Sequence, residues 1–158
     1  MMDENMSLRT EINAAMKQAM REKDTLALST LRLVSAAVKD RDIAARAGDK
    51  PGGIDDGDIL SLLAKMVKQR EDSAKIYEEN GRPELAERER GEIETIRRFM
   101  PKPLSDAELQ EAVKQAVNEV DASCLKDMGK VMGRLKSQYA GRMDMAKAGA
   151  AVKTLLMG

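Results

Sequence analysis

Apolar residues recur along this chain at intervals of three and four, the spacing that gathers side chains onto one side of an α-helix. No stretch alternates apolar and polar residues as a half-buried strand would. Two stripes begin directly after residues that suit a helix N-cap, Ser7 and Asp24. The pattern therefore predicts an all-α fold. The stripes of the first two helices are Leu8, Ile12, Ala15, Met16, Ala19 and Met20, then Leu28, Leu31, Val34 and Val38.

The second helix has the widest apolar arc, because Leu26, Leu33 and Ala37 add to its stripe, and we predict that it is central to its bundle. Residues 47–57 contain DKPGG and IDDG, the strongest loop signal of the chain, and we predict that they join the second and third helices. A third helix should end at Asn80-Gly81, since this pair is typical of a helix C-terminus. Pro83 suits the first turn of a fourth helix.

A proline-rich connector divides the predicted helices into two groups. Pro101 and Pro103 end one helix and stiffen the link, and Ser105 with Glu108 forms a capping box for the next helix. Three helical stripes follow this connector. We therefore predict an N-terminal bundle of about four helices over residues 1–100 and a smaller three-helix C-terminal domain over residues 104–158.

Charged residues interrupt the apolar stripes of the third and fourth helices. Arg70 lies within the apolar arc of the third helix, and Glu89 and Glu92 lie within that of the fourth. Buried charges are tolerated when they are paired, so we predict an ion pair between Arg70 and one of these glutamates inside the bundle. The alternative is a charged functional site in a cleft.

The most informative stretch is residues 123–142, which has the length and periodicity of one helix, with Arg142 following Gly141 in the turn after that helix. At about 100° per residue, its methionine, valine and leucine side chains fall on one side and its glycine and basic residues on the other. A glycine within a helix destabilises it by roughly 1 kcal/mol relative to alanine, so two glycines on a solvent-facing side need an explanation. One explanation is that they make room for another backbone.

The charge of the chain is unevenly distributed although the net charge is zero. Residues 122–158 carry seven Lys or Arg against two Asp or Glu, whereas residues 1–121 carry 20 against 25. Such asymmetry favours a polyanionic or acidic partner at the C-terminal end. The alternative is that an acidic domain and a basic domain attract each other.

Several classes of chemistry are excluded by residue content. The chain has no histidine, and Cys124 is its only cysteine, so histidine-dependent nucleophilic sites, zincin motifs and intrachain disulfides are ruled out. The aspartates at residues 55–58 suit a helix N-terminus, and no phosphate-binding loop motif is present. We therefore predict no catalytic residue, no cofactor and no metal site.

Nothing in the sequence resembles a targeting or membrane segment. The N-terminal residues MMDENMSLRT lack the apolar core of a signal peptide, and no apolar run approaches about 18 residues. These features predict a cytoplasmic protein with no membrane partner.

Nucleic-acid binding is the one activity that the residues favour. Lys126, Lys130 and Arg134 recur every four residues, about 6 Å along a helix axis, which is close to the phosphate spacing of a nucleic-acid strand. Aromatic residues make up only 2% of the chain, so recognition of the backbone of a folded RNA is favoured over base stacking. The alternative is a solvated basic face. The candidate nucleic-acid-binding residues are Lys126, Gly129, Lys130, Gly133, Arg134 and Arg142.

Five sequence stretches resemble the YqeY family, small bacterial proteins related to the tail region of the B subunit of the tRNA-dependent amidotransferase. The resemblance covers nearly the whole chain, and its most specific stretch is Lys126-Asp127-Met128-Gly129-Lys130-Val131-Met132-Gly133. One departure is Gly141-Arg142-Met143-Asp144-Met145, where the family tends towards Gly-Arg-Ala-Asp-Gly. The other matching stretches are Leu28-Ser29-Thr30-Leu31-Arg32, residues 67–73 (VKQREDS), residues 81–86 (GRPELA) and residues 101–105 (PKPLS).

The resemblance implies a two-domain helical fold and a role connected with tRNA. It implies a tRNA-interacting module, associated with tRNA-dependent amidation or aminoacylation, that is non-catalytic on its own. An adaptor that docks an aminoacyl-tRNA synthetase or amidotransferase subunit is the first alternative. The second is carbon-nitrogen ligase activity with glutamine as amido-N-donor, as the family label suggests, although the chain resembles no ATP site or glutaminase nucleophile.

Overall fold

The computed structural model describes residues 7–139 and 141–157, and within them it contains seven α-helices, one 3₁₀ turn and no strand. The predicted all-α fold is confirmed. The chain divides into two compact units, Met1–Met100 and Pro101–Gly158. The helices are α1 (Leu8–Glu22), α2 (Thr25–Arg46), α3 (Asp56–Glu79), α4 (Pro83–Arg97), α5 (Asp106–Glu119), α6 (Met128–Gln138) and α7 (Met145–Met157).

The predicted helix starts are confirmed by hydrogen bonds. The Ser7 side chain accepts from the Thr10 N–H at 3.3 Å, and the Asp24 carboxylate accepts from the Ala27 N–H at 3.1 Å. Ser105 and Glu108 form the predicted capping box, with both reciprocal bonds between 3.0 and 3.1 Å. Each cap satisfies amide groups that have no partner within the helix.

The first unit has an aliphatic core. Val34 of α2, Leu63 of α3 and Ile96 of α4 are fully buried in it. Helix α2 contacts α1, α3 and α4, but α3 also contacts the other three helices, so α2 is not uniquely central. Leu33, which we placed in the apolar arc of α2, is 51% exposed. At 100° per residue the buried side chains of α2 fall within one arc of about 120°, and Leu33 lies about 60° beyond its edge, so the arc read from the sequence was too wide.

The predicted buried ion pair joins Arg70 of α3 to Glu92 of α4. Their nitrogen and oxygen atoms are 3.0 Å apart, and the two side chains are only 14% and 12% exposed. Arg70 also donates to the Met66 carbonyl at 3.2 Å. Glu89 does not bond to Arg70, and burial, followed by the charge of Glu92, raises the pKa of its carboxyl group. The pair thus explains Arg70 as part of the packing between α3 and α4.

The buried carboxylate of Asp42 holds the loop between α2 and α3 against helices α1 and α2. Asp42 accepts hydrogen bonds from the Arg9 guanidinium and from the Ile54 N–H, the latter at 2.9 Å. Gly53 adopts a φ of 89° and approaches so closely that an added Cβ would lie 2.5 Å from an Asp42 oxygen. Asp55 caps α3 by accepting from the Asp58 N–H at 2.8 Å, as predicted for this acidic cluster.

The second unit is a small helical cluster in which α5, α6 and α7 contact one another. Ala116, Val131, Leu135, Ala148 and Val152 are fully buried at its centre. Because these side chains are small or medium in size, the three helix axes can approach closely.

Candidate nucleic-acid interface

The basic segment of the second unit is shorter as a helix than the sequence predicts. A 3₁₀ turn, Leu125–Asp127, precedes α6, which ends at Gln138. The prediction that this helix begins near residue 123 is therefore wrong, whereas Arg142 lies in the turn after the helix, as predicted. The Asp127 carboxylate accepts from the Ser123 N–H at 3.0 Å and the Cys124 N–H at 3.4 Å, which holds the incoming chain in a turn. These bonds, the Ser123 bond foremost, lower the pKa of Asp127.

The inward side of α6 is the side that the sequence predicts. Val131 and Leu135 are completely buried, and Met128 and Met132 are half-buried against the same core. This packing fixes the rotation of α6, and its opposite side faces solvent. We call the exposed residues on that side, Gly129, Lys130, Gly133, Arg134, Lys136 and Ser137, the α6 surface.

The two glycines of the α6 surface are not required by the packing of the chain. A Cβ added to Gly129 or Gly133 would meet no atom within 4 Å. Neither has a positive φ. The two glycines therefore lower the helix propensity of α6, and no contact among the described residues requires them.

The predicted basic residues differ in whether they form ion pairs within the chain. Lys126 and Lys130 are exposed, and neither lies within ion-pair distance of a carboxylate among the described residues. Lys126 belongs to the 3₁₀ turn, so it does not continue the helical row of Lys130 and Arg134. Arg134 forms an ion pair with Glu119 of α5, with 2.8 Å between Nε and Oε2.

Arg142 holds a turn together. Its Nε donates to the Lys102 carbonyl at 3.0 Å, and its own carbonyl accepts from the Leu104 N–H at 2.8 Å. The side chain is half-buried, and Gly141 before it has a φ of 75°. Met143, one of the two departures from the family pattern, is buried in the core of the second unit. Arg142 thus anchors the segment after α6 to the segment before α5.

Sequence reasoning missed one residue of this surface. Lys136 is exposed, and at 100° per residue it lies within about 20° of Gly129, on the opposite side of the glycines from Lys130. The same angular spacing identifies Lys136, although it lies outside the four-residue row of Lys126, Lys130 and Arg134. The glycines therefore lie between basic side chains on both flanks.

A family model described as "Yqey-like protein" matches residues 9–156. The curated relatives include the proteins named "Altered inheritance of mitochondria protein 41, mitochondrial" of three fungi. That of Lachancea thermotolerans is 33% identical over 110 residues, which are 68% of this chain and 57% of the relative. That of Clavispora lusitaniae is 30% identical, covering 74% of this chain and 66% of the relative, and that of Pyrenophora tritici-repentis is 29% identical, covering 83% and 70%.

These relatives correct one prediction. Their names describe mitochondrial proteins, which conflicts with a purely cytoplasmic location, so that expectation is wrong. It rested on residue content near the N-terminus, which does not determine a compartment. Within residues 7–139 and 141–157, no helix is both long and apolar enough to cross a bilayer. Because the family model covers almost the entire sequence, the chain belongs to the YqeY family.

Proposed function

We propose that this chain is a non-catalytic tRNA-binding module that acts alongside tRNA-dependent amidation or aminoacylation. The observation that carries the proposal is the pair of exposed helical glycines, Gly129 and Gly133, between basic side chains on α6. A helix surface without side chains at its centre lets a phosphate-ribose backbone approach the peptide backbone, while flanking lysines neutralise phosphates. The resemblance to the amidotransferase tail region supports RNA as the partner.

We further propose that the two compact units are separately folding domains, a four-helix bundle and a three-helix tail-like domain. Each unit has its own aliphatic core, which supports this division. The RNA-binding part would be the second domain. A synthetase or amidotransferase subunit as a further partner is part of the same proposal.

A mobility-shift titration with total tRNA tests the proposed function. We expect retardation at low salt, with the logarithm of the affinity falling steeply as the logarithm of the salt concentration rises, by about 0.7 to 0.9 per phosphate contacted. Replacing Lys126 and Lys130 together with glutamine should weaken binding and reduce this slope by about two.

Replacing Lys114 and Lys153 with glutamine is the matched control. These lysines are also exposed in the second unit, and the control removes the same charge from α5 and α7. It should leave the affinity close to that of the wild type. No retardation of tRNA by the wild type, or equal losses in the two double variants, would contradict the proposal.

The ion pair between Glu119 and Arg134 predicts a variant that binds more tightly. Glu119 forms an ion pair with Arg134, one of the cations of the α6 surface. Both side chains are more than 40% exposed, so solvent weakens the pair. Glu119→Gln should release Arg134 for a phosphate, raising tRNA affinity about threefold and steepening the salt dependence by about one phosphate. The same titration measures both quantities, and an unchanged salt dependence would show that Arg134 does not contact RNA.

A further inference from the structure

A cavity of about 440 Å³ lies between α1 and α2 in the first unit, on a different unit from the α6 surface. Small-molecule sites commonly have volumes of this order. Helix α2 presents a polar strip to the cavity, because positions 35, 39, 42 and 46 fall within about 60° of one another on a helix. The residues that line the cavity are Arg9, Ile12, Asn13, Ser35, Val38, Lys39, Asp42, Ile43 and Arg46.

The single carboxylate that lines this cavity, that of Asp42, already has a cationic partner. Asp42 is 7% exposed, and its two oxygens accept from the Arg9 guanidinium and the Ile54 N–H. These interactions, led by the Arg9 hydrogen bond, lower the pKa of Asp42, so it stays ionised and paired with Arg9 at neutral pH. Asp42 therefore neither repels an anion strongly nor needs a cationic ligand.

The remaining charge of the cavity is positive. Lys39 and Arg46 are exposed, and no carboxylate of residues 7–139 or 141–157 lies within 4 Å of either. They are two turns apart on the same side of α2, a rise of about 10.5 Å that their long side chains can close. Arg46 also interacts with the charge of Asp42, but the three cations that line the cavity exceed its single carboxylate by two. This excess of positive charge matches a phosphate monoester, which carries a charge of about −1.5 to −2 at pH 7.

The walls of the cavity provide contacts for the rest of such a ligand. Ile12 and Val38 form a buried apolar floor, and Ile43 is 66% exposed at the edge. Asn13 and Ser35 add polar groups that can donate to phosphate oxygens. We propose that this cavity binds a small phosphate monoester, whose phosphate lies between Lys39 and Arg46 and whose organic group packs on Ile12, Val38 and Ile43.

Calorimetric titration of the full chain with phenyl phosphate, inorganic phosphate and phenol tests this proposal. We expect phenyl phosphate to bind about tenfold more tightly than inorganic phosphate, because only the ester buries an apolar ring. Phenol, which lacks the charge, should not bind measurably. Ile43→Ser removes one of the three apolar contacts, so it should weaken phenyl phosphate binding about threefold and leave inorganic phosphate binding unchanged.

The charge requirement is tested by replacing Lys39 and Arg46 together with glutamine. This variant should bind phenyl phosphate at least about tenfold more weakly, since each charged hydrogen bond contributes about that factor. Arg41→Gln is the matched control, because Arg41 is exposed on the same helix but does not line the cavity. No binding of phenyl phosphate by the wild type, binding that survives the double substitution, or an equal loss in Arg41→Gln would overturn the proposal.

Discussion

Replacing Gly129 and Gly133 together with alanine should stabilise the chain and weaken its tRNA complex. Alanine has the higher helix propensity, and a Cβ at either position would meet no atom within 4 Å. The free energy of unfolding should therefore rise by about 1 kcal/mol per position. The added methyl groups would separate the RNA backbone from the helix backbone, so tRNA affinity should fall at least about tenfold.

Urea denaturation and a mobility-shift titration on the same protein preparations measure these opposite effects. Gly149→Ala is the matched control, because Gly149 also lies within a helix of the second unit and its Cβ would make ordinary contacts of 3.8 Å with Met128 and Met132. The control should be stabilised without any change in tRNA binding. If the double variant bound tRNA as well as the wild type, close backbone approach would be excluded as the reason for the glycines.

Among the variants considered, Gly53→Ala should lower the free energy of unfolding the most. Its Cβ would lie 2.5 Å from the Asp42 carboxylate and 3.2 Å from the Arg9 guanidinium, and its φ of 89° disfavours any side chain. The variant must give up the left-handed backbone, the hydrogen bonds of Asp42, or both. We expect the free energy of unfolding to fall by about 3 kcal/mol.

Gly52→Ala provides the control for this effect. A Cβ on the neighbouring Gly52 would meet nothing within 4 Å, and its φ is not in the positive range. Urea denaturation should show a change below about 0.5 kcal/mol for Gly52→Ala. A Gly53→Ala variant as stable as Gly52→Ala would show that the loop is not held by Asp42 as described.

Local signals in the sequence predicted most of the helices. Ser7, Asp24, Pro83 and Ser105 mark helix starts because capping depends on residues only two or three positions apart. The pairing of Arg70 with Glu92 was predictable as well, since a charge within an apolar stripe requires a buried partner.

The limits of the basic helix were harder to predict. The run of residues 123–142 keeps helical periodicity throughout, and only the side chain of Asp127, bonded back to Ser123 and Cys124, separates a turn from the helix. Asp127 favours such local bonds, but a sequence does not reveal whether they or the helix prevail. Lys126 was consequently placed in a helix to which it does not belong.

The contacts that the candidate RNA-binding residues make with other parts of the chain could not be predicted. Glu119 and Arg134 are 15 positions apart, and Arg142 bonds to a carbonyl 40 positions away. Both contacts occupy residues that we had assigned wholly to RNA. The cavity between α1 and α2 also depends on tertiary packing, since Arg9 and Asp42 are 33 positions apart. Helical spacing fixes which residues share one side of a helix, but not which carboxylates of other helices reach them.

The most direct test of RNA binding by the α6 surface and the neighbouring Lys126 is the acetylation rate of each lysine in the intact chain. The rates are measured with and without total tRNA by mass spectrometry of the peptides. We predict that tRNA slows acetylation of Lys126, Lys130 and Lys136 several-fold and leaves Lys114 and Lys153 unchanged. Equal rates at Lys126, Lys130 and Lys136 with and without tRNA, or protection confined to other lysines, would contradict the proposed RNA-binding surface.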